Sequence, residues 1–425
     1  MYIIKNGTIV DPANNIEGLG DIYVKENIIC KVVMADSKDI PEGFENAEII
    51  DAKGQIVMPG LIDVHSHFRD PGFEYKEDIL TGAEAAKAGG YTSIVLMCNT
   101  KPVVDNVETL KYVLDKGKNT GIRIESCSAV TYGLKGEKLT DFEKMLEAGA
   151  IGFTDDGIPL MDEDMLREAF RKAGDYPVSL HEEDKTFIKE NGINHGKASE
   201  YYGIYGSPRE AEISLINRDI KIALEEGGVI NVQHISSKEG VEIVRKAKSV
   251  PGNRVHAEAT PQHFSLTEEA VIKKGTMAKL NPPFREESDR QAVIEGLRDG
   301  TIDIIATDHA PHAKEEKDKP ITEAPSGILG LETAFALANM HLINESGLSV
   351  SKVVEKFTIN PAKLYMLDRG TLTEGRKADI TIADLNEKWI VKEYKSKSSN
   401  SPFTGEEMTG KIKLTMCDGK IVYRD

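Results

Sequence analysis

The chain has 425 residues, enough for a large domain plus a smaller one. Its net charge of −17 argues against a nucleic-acid or anionic-membrane surface, both of which need clustered lysine and arginine; a locally positive metal site for an anionic substrate stays open. No apolar run approaches the roughly 18 residues of a membrane span, Met1–Gly7 does not open a signal peptide, and four scattered cysteines without a Cys-x-x-Cys pair point to reduced thiols and a cytoplasmic home.

Residues 1–56 alternate β-rich runs with turn signals: Tyr2–Ile4, Thr8–Val10, Asp21–Val24, Ile28–Val33 and Ile49–Ile50, punctuated by Asn6-Gly7 and Lys53-Gly54. From residue 57 the pattern changes to strand-like segments alternating with amphipathic stretches. The strand candidates are Val57–Val64, Thr92–Met97, Arg123–Ser126, Ala150–Phe153, Pro177–Leu180, Val229–Gln233, Arg254–Glu258 and Ile302–Ala306. Between most of them lie stretches such as Ile79–Ala88, Asp164–Ala173, Ala211–Glu225 and Asp289–Arg298, with helical spacing. Such βα repetition over residues 57–370 predicts an α/β fold, a (β/α)₈ TIM-type barrel; a doubly wound open sheet is the alternative, because periodicity does not close a barrel. Glu315–Lys319 reads as a solvated charge run, with a mobile loop near the pocket as the alternative. Residues 371–425 return to short β-rich runs, Ala378–Ala383, Trp389–Val391, Lys411–Met416 and Lys420–Tyr423, with Lys395–Ser401 as a solvated loop. Neither end is large enough for a good core, so the two are expected to pair into one small β-sandwich domain.

Polar residues gather just past the strand candidates, on the face where barrel enzymes keep their chemistry. His65, His67 and Arg69 follow the first in Asp63-Val64-His65-Ser66-His67-Phe68-Arg69-Asp70-Pro71-Gly72; alternate residues of a strand point the same way, so two imidazoles and a cation can face one spot. Asn99 follows the second candidate, Asp155 and Asp156 the fourth, His181 the fifth, His234 the sixth, and Asp308, His309 and His312 the eighth. Four histidines and two aspartates suit two divalent ions, with zinc the expected metal. Of Asp155-Asp156, one is expected as a ligand and the other as a turn-former, and spacing does not say which. A metal pair can ionise a shared water and polarise a carbonyl. Two dications, two carboxylates and one hydroxide leave about +1, which suits a carboxylate-bearing substrate with Arg69 as its fork-shaped partner. Asp308 is placed to act as general base and acid. Asn99, Asn281 and His312 are further candidates, with a turn role as the bland alternative for Asn281 before Pro282-Pro283. His195, His256, His263, His309 and His341 read as structural or surface residues, and Cys98 as an apolar filler.

These segments, together with Cys98-Asn99-Thr100-Lys101-Pro102, Phe153-Thr154-Asp155-Asp156-Gly157, Gln233-His234-Ile235-Ser236, Leu280-Asn281-Pro282-Pro283, Ala306-Thr307-Asp308-His309-Ala310-Pro311-His312 and Gly327-Ile328-Leu329-Gly330-Leu331-Glu332-Thr333, resemble the amidohydrolase superfamily and, within it, the class I dihydroorotases. The resemblance spans nearly the whole chain. It implies that His65, His67 and Asp308 hold one zinc, His181 and His234 a second, and Asp156 bridges the two. It also implies that Arg69, Asn99 and His312 hold a substrate carboxylate, and that Asn281 with the backbone around Ser326 and Gly327 holds a pyrimidine ring. Many relatives bridge their metals with a carboxylated lysine; Asp155-Asp156 offers none, which favours dihydroorotase over the dihydropyrimidinase, hydantoinase and allantoinase branches. Ser66, Cys98 and Ser326 depart from the usual valine, proline and phenylalanine. The reaction implied interconverts L-dihydroorotate and N-carbamoyl-L-aspartate in pyrimidine biosynthesis, with a homodimer and an association with aspartate transcarbamoylase as assemblies the family admits. The competing readings are a hydantoinase-like cyclic amidase and a catalytically dead scaffold, whose mark is a lost ligand.

Overall fold

The computed structural model describes residues 1–37 and 39–425. Strands β1 (Tyr2–Asp11), β2 (Ile16–Lys25), β3 (Ile28–Met34), β4 (Glu48–Asp51) and β5 (Ile56–Pro59) come from the first part of the chain. β5 is the seam of the end sheet. It pairs in parallel with β1 (Thr8 opposite Ile56) and, on its other edge, antiparallel with Ile380–Ala383 from the far end of the chain. Ile4, Ile9, Ile22 and Ile29 thereby share one buried cluster with Leu372, Ile380, Ile382, Leu414 and Met416.

An unbroken strand Val57–Val64 was the expectation; the chain breaks at Gly60. Before it β5 stays in the end sheet, and after it β6 (Leu61–Ser66) opens the barrel. Gly60 donates its N–H to Asp379 O at 2.8 Å, and a Cβ there would lie 2.2 Å from Thr92 Oγ1, so glycine leaves the room that the Thr92 side chain occupies. A continuous apolar run carries no mark of such a break.

β6, β7 (Tyr91–Leu96) and β8 (Arg123–Ser126) form one parallel group, and β9 (Val178–Leu180), β10 (Ile230–Val232), β11 (Val255–Ala259) and β12 (Ile304–Ile305) another. The expected strand Ala150–Phe153 is reduced to Phe153, which bridges Ser128 on one side and Val178 on the other. Two glycines in Gly149–Phe153 leave little side chain to pack there. The other seam is closed by a parallel bridge between Ser66 and His309. The ring is therefore complete, and the open-sheet alternative falls. The helices around it start at side-chain caps worth about 1 kcal/mol each: Asp78 for Ile79–Ala88, Asn106 for Val107–Gly117, Asp162 for Glu163–Ala173 and Ser237 for Lys238–Lys248. Their inner faces (Leu110, Leu166, Phe170, Val241, Val244) join the main core. The chain then returns to the end sheet as β13 (Ile380–Ile390), β14 (Glu407–Cys417) and β15 (Lys420–Arg424), giving the order β15-β14-β13-β5-β1-β2-β3, with β4 beside β1. No helix among the described residues is long and apolar enough to cross a membrane.

Two sequence expectations are corrected. Lys395–Ser401 is not a solvated loop: Ser396, Ser398, Asn400 and Ser401 are buried, and the segment lies as a strap over the loops at the barrel mouth. Ser396 Oγ donates to Glu77, and Ser398 Oγ donates to Lys76 O at 2.6 Å. Within Glu315–Lys319 the correction is confined to Lys317, only 1% exposed at the end of a short helix, Lys314–Lys317, while Glu315, Asp318 and Lys319 are exposed as expected. Polar composition misleads in both places because the polar atoms find partners inside the protein.

Candidate active site

The loops after the barrel strands bring His65, His67, Asp156, His181, His234 and Asp308 into one buried cluster. Asp308 Oδ1 lies 3.1 Å from His67 Nε2 and 3.5 Å from His65 Nε2. Asp156 reaches the same two rings, with Oδ1 3.3 Å from His65 Nε2 and Oδ2 3.4 Å from His67 Nε2. His181 Nδ1 and His234 Nε2 face each other at 2.9 Å, with Asp156 Oδ1 3.9 Å from His181 Nδ1. Asp156 thus sits between the two halves of the cluster. Burial alone would raise both carboxyl groups, but the imidazoles around them, His65 foremost, hold Asp156 well below the carboxylate range and Asp308 at about 2. His234 is pushed down instead, by burial and by His181 and His65, so its ring is neutral with a lone pair to give. Arg69, His234 and Asp308 all have φ between +35° and +61°. A left-handed backbone costs non-glycine residues roughly 1–3 kcal/mol each and persists where surrounding contacts over-determine it, most often at functional sites.

The aspartate pair is resolved by its hydrogen bonds. Asp155 Oδ1 accepts from Val130 N–H (2.8 Å) and Thr131 N–H (3.0 Å), and its Oδ2 accepts from Thr131 Oγ1. Asp155 builds the loop and Asp156 faces the cluster. Burial raises Asp155 to about 6.

Several carboxylates around the cluster escaped the sequence reading. Glu258 Oε2 lies 3.0 Å from His65 Nδ1, and Glu183 Oε2 lies 3.0 Å from His181 Nε2. Each fixes the far nitrogen of a ring whose near nitrogen points into the cluster. Asp63 accepts from Thr307 N–H (2.8 Å), Thr307 Oγ1 (2.5 Å) and Ser66 Oγ (2.6 Å), lacing the first barrel strand to the last. Ser66 is therefore accommodated away from the ligands. Cys98 Sγ donates to Thr154 O at 2.9 Å, with burial raising its thiol well above the usual range, so it is an inert packing group. Removing Glu258's charge (Glu258→Gln) is expected to weaken metal retention about 10–100-fold, read by chelator competition.

Beside the cluster is a cavity of about 170 Å³, lined among others by Arg69, Asn99, Asn281, His312, Ser326 and Gly327. These residues are not equally free. Arg69 uses Nε to donate to Pro311 O (3.2 Å), and among the described residues no protein group accepts from the rest of its fork. Asn281 Oδ1 and Ser326 Oγ are buried without a partner. Asn99 is engaged at both ends, by His67 Nδ1 (2.9 Å) and Asp156 Oδ2 (3.0 Å). His312 Nε2–H donates to Ser326 O (2.9 Å), and Lys76 Nζ lies 3.5 Å from Nδ1. Gly327 gives its N–H to Lys279 O, while its carbonyl accepts from Lys317 and Asn400. His195, His256, His263 and His341 bond elsewhere, as structural residues do.

The donor set fits divalent cations. His65 Nε2 is a buried nitrogen with no hydrogen-bond partner, its Nδ1 is held by Glu258, and the side chains that converge on it, Asp156, His234, His67 and Asp308, are metal-binding types. The Amidohydrolase family matches residues 56–422. The chain belongs to the amidohydrolase family. Among curated amidohydrolase relatives, the dihydroorotase of Clostridium acetobutylicum is 50% identical over 430 residues, covering 100% of both chains. That of Clostridioides difficile is 49% identical, again over 100% of both, and that of Lactococcus lactis is 46% identical over 99% of each. Among solved structures, an L-hydantoinase (dihydropyrimidinase) from Arthrobacter aurescens matches with a TM-score of 0.87 at 28% identity, covering 100% of this chain and 96% of that one. A D-hydantoinase from Thermus sp., at 23% identity and a TM-score of 0.85 over 100% and 96%, shares the fold. The fold is thus the TIM barrel with a β domain.

Proposed function

We propose that this chain is a dihydroorotase, interconverting L-dihydroorotate and N-carbamoyl-L-aspartate. The observation that carries the reading is an arginine whose fork, beyond the Nε bond to Pro311 O, meets no protein acceptor among the described residues, in a small cavity that five of the six cluster residues also line. Full-length likeness to curated dihydroorotases at 46–50% identity supports it. His65, His67 and Asp308 would hold one zinc and His181 and His234 the other, with Asp156 between them. Bound there, the ions acidify a water and polarise the scissile carbonyl. The residues do the rest. Arg69 clamps the ring carboxylate; Asn281 Oδ1 accepts a ring N–H and Ser326 Oγ donates to a ring carbonyl. Asn99 and His312, whose polar atoms are already engaged, hold the wall against which the carboxylate sits. When water adds to the ring amide carbon, Asp308 takes the released proton and passes it to the nitrogen as the carbon–nitrogen bond breaks. Ring closure runs the same steps in reverse.

Residues 1–59 with 371–425 form the β unit in this reading and 61–370 the catalytic barrel, the boundary moving on from residue 56 because β5 pairs with β1 and β13. Homodimer formation, or assembly with aspartate transcarbamoylase, is decided by the mass of the purified protein alone and mixed with that enzyme. The function is tested with N-carbamoyl-L-aspartate and dihydroorotate. Chelator treatment is expected to abolish turnover and added zinc to restore it. Zinc analysis of the untreated protein should give about two per chain from this ligand set. Full activity in metal-free protein would defeat the proposal.

A further inference from the structure

The strap formed by residues 395–401 reaches the walls of the substrate cavity from behind through one side chain. Asn400 is 2% exposed. Its Oδ1 accepts from His312 N–H at 2.9 Å, and its Nδ2 donates to Ala310 O and Gly327 O, both at 3.0 Å. Its backbone carbonyl accepts from Leu329 N–H at 3.0 Å. A carboxamide offers two N–H hydrogens and one carbonyl, and all are used here. Aspartate has the shape without the donors, and serine has one hydrogen. Ala310, His312 and Gly327 all line the cavity, and they come from two separate loops.

Those loops meet without slack. A Cβ on Gly327, whose φ is +134°, would lie 2.8 Å from Ala310 Cβ and 2.9 Å from His312 Nε2. Lys317 Nζ also donates to Gly327 O (3.0 Å), and Lys279 O accepts from Gly327 N–H (2.9 Å). Of Asn400 and Lys317, only Asn400 also reaches the opposing His312 loop, and it does so from behind, in addition to the direct ties His312 Nε2–H to Ser326 O and Ala310 N–H to Ile328 O, both 2.9 Å.

We propose that Asn400 is a positioning residue for substrate recognition, setting the spacing between the His312 loop and the Ser326-Gly327 backbone. The proposal rests on the dihydroorotase reading for the choice of substrate. Asn400 forms no hydrogen bond to the six-residue cluster. Its loss should therefore weaken binding and leave the chemical step alone.

The test uses the metal-loaded enzyme and three variants. In Asn400→Ala, KM for dihydroorotate should rise about tenfold or more while kcat stays within about threefold. Asn400→Asp keeps the shape and the His312 acceptor but turns lone pairs toward two carbonyls; it should raise KM as well, and it answers the question if the alanine variant does not fold. Asn339→Ala is the control. That buried amide also bridges two carbonyls, Leu385 O and Thr409 O, both at 2.9 Å, away from the cavity. It should lower Tm without moving KM. Hydrogen exchange gives a readout independent of substrate: Asn400→Ala should speed exchange in peptides covering 309–313 and 325–331, and Asn339→Ala should not. Unchanged KM with unchanged exchange overturns the proposal, as does a kcat loss matching the KM rise. A wild-type enzyme inert toward dihydroorotate sinks the functional reading instead, and exchange still decides whether Asn400 ties the two loops.

Discussion

Asp308→Asn should retain its metals, fold normally and lose about 10³-fold or more of kcat, within the range attributed to a positioned proton-transfer group. Asparagine has the same size. Its carbonyl oxygen can occupy the position of Oδ1, 3.1 Å from His67 Nε2, so the cluster keeps an oxygen where the carboxylate was. What it cannot do is accept a proton and return it. Metal analysis and the thermal transition separate this loss from a collapsed site, and KM should move little because the variant still presents a polar wall to the ring. Near wild-type turnover with full metal would remove Asp308 from the reaction. A comparable loss with empty metal sites would mean that its charge serves binding of the ions rather than the proton.

Asp308 also shows why so much of this site is legible in sequence. It stands at the end of a barrel strand, as do His65, His181 and His234, and strand ends can be read from alternating apolar and polar segments. What the strand pattern does not carry is which neighbouring group a side chain meets. Asp155 and Asp156 have the same chemistry; they differ because the amides of Val130 and Thr131, on another loop, capture one of them. Glu258 could have been suspected as an acid in the buried run Val255–Ala259, where a carboxylate needs a partner, but nothing local names His65. Asn400 is illegible for the opposite reason. Lysine and serine around it signal solvent, and its partner His312 lies 88 residues earlier. The break at Gly60 is hidden because both sides of it are apolar.

Arg69→Met is expected to cost about 2–5 kcal/mol in kcat/KM for dihydroorotate, roughly 30- to 4,000-fold, the usual cost of removing one member of a desolvated charge pair. Burial pushes the guanidinium down, while the carboxylates of Asp308, Asp156, Glu316 and Glu77 act to keep it charged. None of those four carboxylates hydrogen-bonds the guanidinium, which leaves its two terminal nitrogens for a substrate carboxylate. Methionine fills similar space without the fork. Arg69→Lys should recover only part of the loss, because an ammonium offers a point charge where the guanidinium offers two parallel donors. The discriminating measurement is a pair of substrates that share the ring. Dihydrouracil lacks the carboxylate, so wild-type enzyme should handle it poorly and Arg69→Met should handle it no worse. The ratio of the two kcat/KM values must therefore collapse in the variant. If both substrates fall together, Arg69 supports the architecture of the cavity through Pro311 and the hydantoinase-like reading regains ground; if neither falls, the carboxylate is held elsewhere.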